Sequence, residues 1–109
     1  LKIVYVSARS YAGCATTSLN PEPYAYQSGF AVKQLVNDYV QDKDEQTYII
    51  WGPYFWADGI NPRSDGLTYT CADFVSDGTH PSEQGETKIA NLLIDFLKTD
   101  ETSIGWYLD

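Results

Sequence analysis

The chain has 109 residues, enough for one domain and too few for two, and 43% of them are hydrophobic, which argues against disorder. Fifteen Asp and Glu against seven Lys and Arg give a net charge of −8. With no basic stripe to offset it, that charge repels phosphate backbones, so nucleic acid is excluded as a partner and neutral, sugar-like or cationic ligands fit better.

No apolar run reaches the ~18–20 residues of a membrane span, so no membrane partner is expected. A single histidine and no Cys-x-x-Cys spacing argue against a zinc site. Neither a metal nor an organic cofactor is expected. Cys14 and Cys71 fit either one disulfide closing a long loop or two small buried thiols. They do not settle the compartment, although the balance leans to an extracellular or periplasmic one. The chain opens at Leu1, already inside a strand-like run and without a visible signal peptide. It is read as a processed chain, an isolated domain or a fragment.

Residues 1–7 (LKIVYVS) are nearly continuously apolar and β-branched, as in a parallel strand buried on both faces. A long loop follows to Tyr26, with Asn20-Pro21-Glu22-Pro23 as breaker chemistry. Ser28 is a plausible N-cap, and Val32, Leu35, Val36, Tyr39 and Val40 recur at helical spacing, which predicts an amphipathic helix over 28–41. Residues 42–46 form a polar connector. TYIIW at 47–51 is a second short strand, so the first half reads as a right-handed strand–helix–strand crossover.

Residues 52–79 form a loop of 28 residues carrying Pro53, Gly59, Pro62 and Gly66, and structureless loops this long are usually functional. A second helix starts near Pro81 or Ser82, with Pro81 suited to the first turn. Ile89, Leu92, Leu93, Phe96 and Leu97 make its apolar stripe. The tail, 99–109, is irregular, with Trp106 and Tyr107 to dock it. Two strands do not make a stable parallel sheet, so the whole reads as half of a doubly wound α/β domain.

The chemistry concentrates in Asp77-Gly78-Thr79-His80-Pro81, which holds the only histidine. An aspartate three residues before a histidine can bind one ring nitrogen, fix the tautomer and leave the other nitrogen as a general base. The same pattern also suits a loop Asp capping a turn beside a histidine at a helix mouth. Asp73 is a rival orienter at poorer spacing. Tyr54, Phe55 and Trp56 are either sugar-stacking rings or anchors of their own loop. Asp58, Arg63 and Asp65 in that loop suit an internal ion pair.

Eight serines are present: Ser7, Ser10, Ser18, Ser28, Ser64, Ser76, Ser82 and Ser103. None has the setting of a nucleophile. Ser28 opens a helix and is explained by capping. Ser7 and Ser10, at the end of the first strand, are expected to line a site or bond to backbone.

Asp77-Gly78-Thr79-His80-Pro81-Ser82, with Gly85 and Ile89-Ala90 after it, resembles the last block of the SGNH (GDSL-type) hydrolases. Other stretches resemble a bacterial branch of that family: Tyr11-Ala12-Gly13, Asn20-Pro21-Glu22-Pro23-Tyr24-Ala25-Tyr26, Ser28-Gly29-Phe30-Ala31-Val32-Lys33, Trp51-Gly52-Pro53-Tyr54, Trp56-Ala57-Asp58-Gly59 and Arg63-Ser64-Asp65-Gly66-Leu67. The resemblance covers almost the whole chain.

It implies a partial three-layer α/β/α, flavodoxin-like domain over 1–109, with parallel strands and two flanking helices. It also implies an ester hydrolase in which Asp77 and His80 are the catalytic pair, the substrate being an ester, including an acyl group on a carbohydrate. Tyr54, Trp56 and Ser10 are the substrate-binding candidates. The family's Gly-Asp-Ser nucleophile and Gly-x-Asn-Asp-like oxyanion blocks have no counterpart here. The expected partner is therefore a missing N-terminal segment or complementary chain, and the chain alone is expected to be inactive or nearly so. Two rivals stand beside this: a catalytically dead glycan-binding module, and a structural, self-assembling piece built on an open strand edge.

Overall fold

The computed structural model describes residues 2–16, 22–41 and 47–109, with all side chains among them except those of Val40 and Gln41. Its regular elements are β1 (Lys2–Val6), α1 (Tyr24–Gln41), β2 (Thr47–Trp51), α2 (Glu83–Thr99) and α3 (Ile104–Tyr107). A short 3-10 turn spans Cys71–Asp73. The fold is mixed α/β.

The β-branched and aromatic runs at 2–6 and 47–51 pair in parallel, with Lys2 opposite Thr47 and Val6 opposite Trp51. The Gly52 N–H continues the ladder onto the Val6 carbonyl at 2.7 Å. Tyr5 packs edge-on against Phe96 of α2, with centroids 5.2 Å apart, and its hydroxyl bonds to Thr102. Trp51 lies one register position beyond the partner of Tyr5, and its ring takes Lys33 of α1 at 5.2 Å. The two long helices thus meet the strand pair through alternating side chains.

α1 begins four residues before the sequence-based expectation. Its first turn is closed by Gln27 N–H on the Pro23 carbonyl, and the Glu22 carboxylate accepts the Tyr26 N–H at 3.0 Å. That side chain takes one of the orphan donors that a serine N-cap would otherwise serve. Ser28 is not a cap: it lies inside the helix, its hydroxyl donating to the Ala25 carbonyl at 2.8 Å. Ser18, the Asn20-Pro21 half of the expected turn and the connector 42–46 lie outside the described residues.

At α2 the cap is Ser82, whose Oγ accepts the Gly85 N–H. Pro81 stands before the cap and pairs with Phe74 in an isolated antiparallel bridge, rather than sitting in the first helical turn. The tail is less irregular than its sequence suggests. Ser103 is buried and donates to the Leu97 and Asp100 carbonyls, and the four-residue α3 follows it.

The loop 52–79 is not structureless. Its own side chains make a buried cluster of Ala57, Tyr69 and Phe74, with Ala12 and Leu67 packed against it. Among the described residues, only Ala8 and Ala25 add further buried apolar side chains. Val4 and Tyr48, on the strands themselves, remain exposed. The accessible surface of 7095 Å² exceeds the roughly 6,100 Å² of a folded monomer of this mass. The excess fits a sheet whose faces are only partly covered.

Candidate functional site

The 3-10 turn and α2 are locked together by one fully buried carboxylate. Asp73 accepts from the Lys88 ammonium at 2.7 Å, the Thr70 N–H at 2.7 Å and the Gln84 amide at 2.8 Å. Burial pushes its carboxyl up, but the Lys88, Thr70 and Gln84 hydrogen bonds outweigh that and hold it below the ordinary range. The Asp73 carbonyl also accepts the Ser82 N–H, and a Cβ on Gly85 would lie 2.0 Å from that carbonyl oxygen. Only glycine permits this approach. Asp73 is therefore a structural anchor and does not orient His80.

Between these anchored ends, residues 74–81 form a short closed loop. The Phe74–Pro81 bridge, the Val75 N–H on the His80 carbonyl and the Gly78 N–H on the Val75 carbonyl define it. Gly78 has φ +67°, and a Cβ there would lie 1.9 Å from the Cys14 carbonyl oxygen. The arm 12–16 lies directly under the loop, tied to it by the Thr16 N–H on the Asp77 carbonyl at 3.0 Å. The Cys14–Cys71 disulfide staples that arm to the 3-10 turn, which settles the alternative the sequence left open.

This frame presents Asp77 and His80. Asp77 Oδ2 is 2.5 Å from His80 Nδ1, while Oδ1 accepts the backbone N–H groups of Thr79 at 2.8 Å and His80 at 2.9 Å. The His80 hydrogen bond, then the two backbone donors, hold the Asp77 carboxyl down at about 2. An ionised carboxylate only accepts, so Nδ1 carries a proton, and in the neutral tautomer of such a ring Nε2 is the unprotonated nitrogen. The His80 side chain is 78% exposed and the Asp77 side chain 35%.

Both residues line a cleft of about 740 Å³. The rest of its lining includes Ala8, Arg9, Ser10 and Tyr11 from the segment after β1, with Ala25 of α1 and Ile89 of α2. Ser10 thus shares the cleft with the Asp77–His80 pair. Ser7 instead donates to the Pro53 carbonyl.

Tyr54 and Trp56 are not on the cleft wall; Phe55 between them is. Tyr54 carries Arg63 over its ring at 5.2 Å, and Trp56 donates from Nε1 to Glu22 at 3.0 Å. The two rings are therefore held by Arg63 and by the residues at the start of α1, and not by the cleft. Sequence reasoning grouped all three aromatics and could not assign Phe55 alone to the cleft, because 53–57 belongs to no ladder that would fix the side-chain alternation.

Arg63 and Asp65 form the expected internal ion pair at 2.5 Å, and Arg63 also donates to the Tyr54 and Trp56 carbonyls. Asp58 takes Asn61 instead of an arginine. Among the described residues, no group of three or more His, Cys, Asp or Glu side chains is placed to hold a metal ion, and no helix is long and apolar enough to cross a membrane.

Comparison with known proteins adds no relative: no family model, no curated protein and no solved structure matches this chain.

Proposed function

We propose that this chain supplies the Asp–His half of a Ser–His–Asp ester hydrolase site of the SGNH type. The observation that carries the reading is the orientation of the pair. Asp77 is held by two backbone N–H groups and fixes His80 through Nδ1, leaving an exposed Nε2 at the edge of a 740 Å³ cleft. A structural histidine would be expected to use both nitrogens or to be packed; this one is neither.

In this reading the strand pair is the end of a larger parallel sheet in a three-layer α/β/α domain. α1 and α2 cover opposite faces, and further strands continue from an open edge. The exposed Val4 and Tyr48 side chains and the small buried core support it. A serine from a segment other than these residues attacks the ester carbonyl. His80 Nε2 takes its proton and returns it to the leaving alcohol, and a water molecule deprotonated by the same nitrogen then releases the acyl group from the serine as the acid. Asp77 holds the ring and stabilises the imidazolium. A carbohydrate ester is the favoured substrate, since a neutral polyol does not meet the repulsion that a charge of −8 gives an anion.

The test is reconstitution. Ester hydrolysis is expected when a complementary N-terminal segment of SGNH type is supplied, and His80→Ala is expected to abolish it. Hydrolysis that survives His80→Ala removes the pair from the mechanism.

A further inference from the structure

Around residues 53–57, five aromatic rings that do not line the cleft are joined in one unbroken row of contacts. Phe30 meets Tyr26 at 5.0 Å between centroids, Tyr26 meets Trp56 at 4.8 Å, Trp56 meets Tyr54 at 6.3 Å and Tyr54 meets Trp51 at 5.9 Å. The row crosses three parts of the fold: α1, the long loop and the end of β2. It is not core. Phe30 is 56% exposed, Tyr26 is 43% exposed, and none of the other three is fully buried.

Charged groups are built into the row. Lys33 stands over Trp51 at 5.2 Å and Arg63 over Tyr54 at 5.2 Å. The Glu22 carboxylate takes the Trp56 indole N–H at 3.0 Å.

We propose that this row is a binding strip for a neutral oligosaccharide chain, separate from the cleft and independent of the hydrolase reading. Three properties select that occupant. The rings offer apolar area in steps comparable to the length of one pyranose unit, and the C–H face of a sugar packs on such surfaces. A dry protein–protein contact would have to bury Glu22, Lys33 and Arg63, and charged residues are depleted from interface cores for that reason. A glycan brings hydroxyls that hydrogen-bond to those same groups. A single-stranded nucleic acid could also stack on rings, but the net charge of −8 opposes its phosphates.

The experiment is calorimetric titration of the full chain with cellohexaose, xylohexaose and mannohexaose, repeated with Phe30→Ala, Tyr26→Ala and His80→Ala. Phe30 and Tyr26 are exposed enough to be truncated without emptying a core, and circular dichroism checks that the fold is kept. The proposal expects one of the hexasaccharides to bind, Phe30→Ala and Tyr26→Ala each to weaken it by about tenfold or more, and His80→Ala to leave it unchanged. No binding of any of the three overturns it. So does binding that only His80→Ala weakens, which would put the sugar in the cleft. A proline-rich peptide that binds the row where the sugars do not would overturn it too, since aromatic grooves also take polyproline helices.

Discussion

Asp77 divides its carboxylate between two tasks: Oδ2 holds His80 Nδ1 at 2.5 Å, while Oδ1 holds the backbone of its own turn through the Thr79 and His80 N–H groups. The residue that orients the ring is thus fixed by the ring's own main chain. Asp77→Asn should leave the turn formed, because an amide oxygen can still accept those two bonds. It should release the tautomer, since the amide can present a donor to Nδ1. For the proposed ester hydrolysis, measured after reconstitution, the expected loss of rate is about 10⁴-fold, by analogy with the serine proteases. An unchanged rate would assign the orienting role elsewhere.

The depressed Asp77 carboxyl makes a pH prediction with a definite sign. Its folded value of about 2 lies below the ordinary 3.8. The contribution of the ionised carboxylate to the folded state is therefore fully present above pH 3.8 and is lost as pH falls through about 2. The carboxyl carbon resonance of Asp77, followed by NMR, should stay in its ionised position through pH 4 and move only near pH 2. A midpoint near 4 would mean that the hydrogen bonds to Asp77 do not form in solution.

Lys88 is the charge partner of the fully buried Asp73. Lys88→Met should cost about 3 kcal/mol at neutral pH, because it strands a buried carboxylate with only neutral donors. The deficit should shrink in acid as Asp73 takes up a proton. Urea denaturation at two pH values measures both effects, and a deficit that does not depend on pH would contradict the assignment.

Gly78 and Gly66 both have positive φ, but only Gly78 is crowded, by the Cys14 carbonyl. Gly66→Ala should cost about 1 kcal/mol, the backbone strain alone. Gly78→Ala should cost about 2 kcal/mol or more, and should displace the arm 12–16 from the Asp77 loop. Thermal melts of the two variants, with hydrogen exchange at the Thr16 N–H, distinguish the cases. Equal costs would mean that the arm does not lie under the loop.

Cys14 and Cys71 are separated by 57 positions in sequence. Closing a loop of that size stabilises the fold by about 4 kcal/mol in the chain-entropy account. Reduction should lower stability by an amount of that order and loosen the arm under Asp77. Chemical denaturation with and without reductant reads the difference, and identical curves would mean that the pair is not bonded.

Much of the architecture was legible because it rests on local pattern. The β-branched runs fixed both strands, and the stripe Ile89, Leu92, Phe96 fixed α2. The start of α1 was not legible, since the carboxylate of Glu22, a residue outside the usual cap chemistry, takes a helical N–H there. Asp77 and His80 could be paired in advance because three residues in one loop bring them together whatever the rest of the fold does. The roles of Asp73, Tyr54 and Trp56 depend on Lys88, Arg63 and Glu22, which approach from distant positions. Spacing along the chain carries no information about such contacts. The disulfide was undecided for the same reason.

The most direct test of the central claim is labelling of the native preparation with a serine-directed fluorophosphonate, followed by mass mapping of the tag, in the wild type and in His80→Ala. A tag is expected on a serine in a polypeptide segment other than these 109 residues, and it should be lost when His80 is replaced. A tag on a serine within them, or one that persists in His80→Ala, would contradict it.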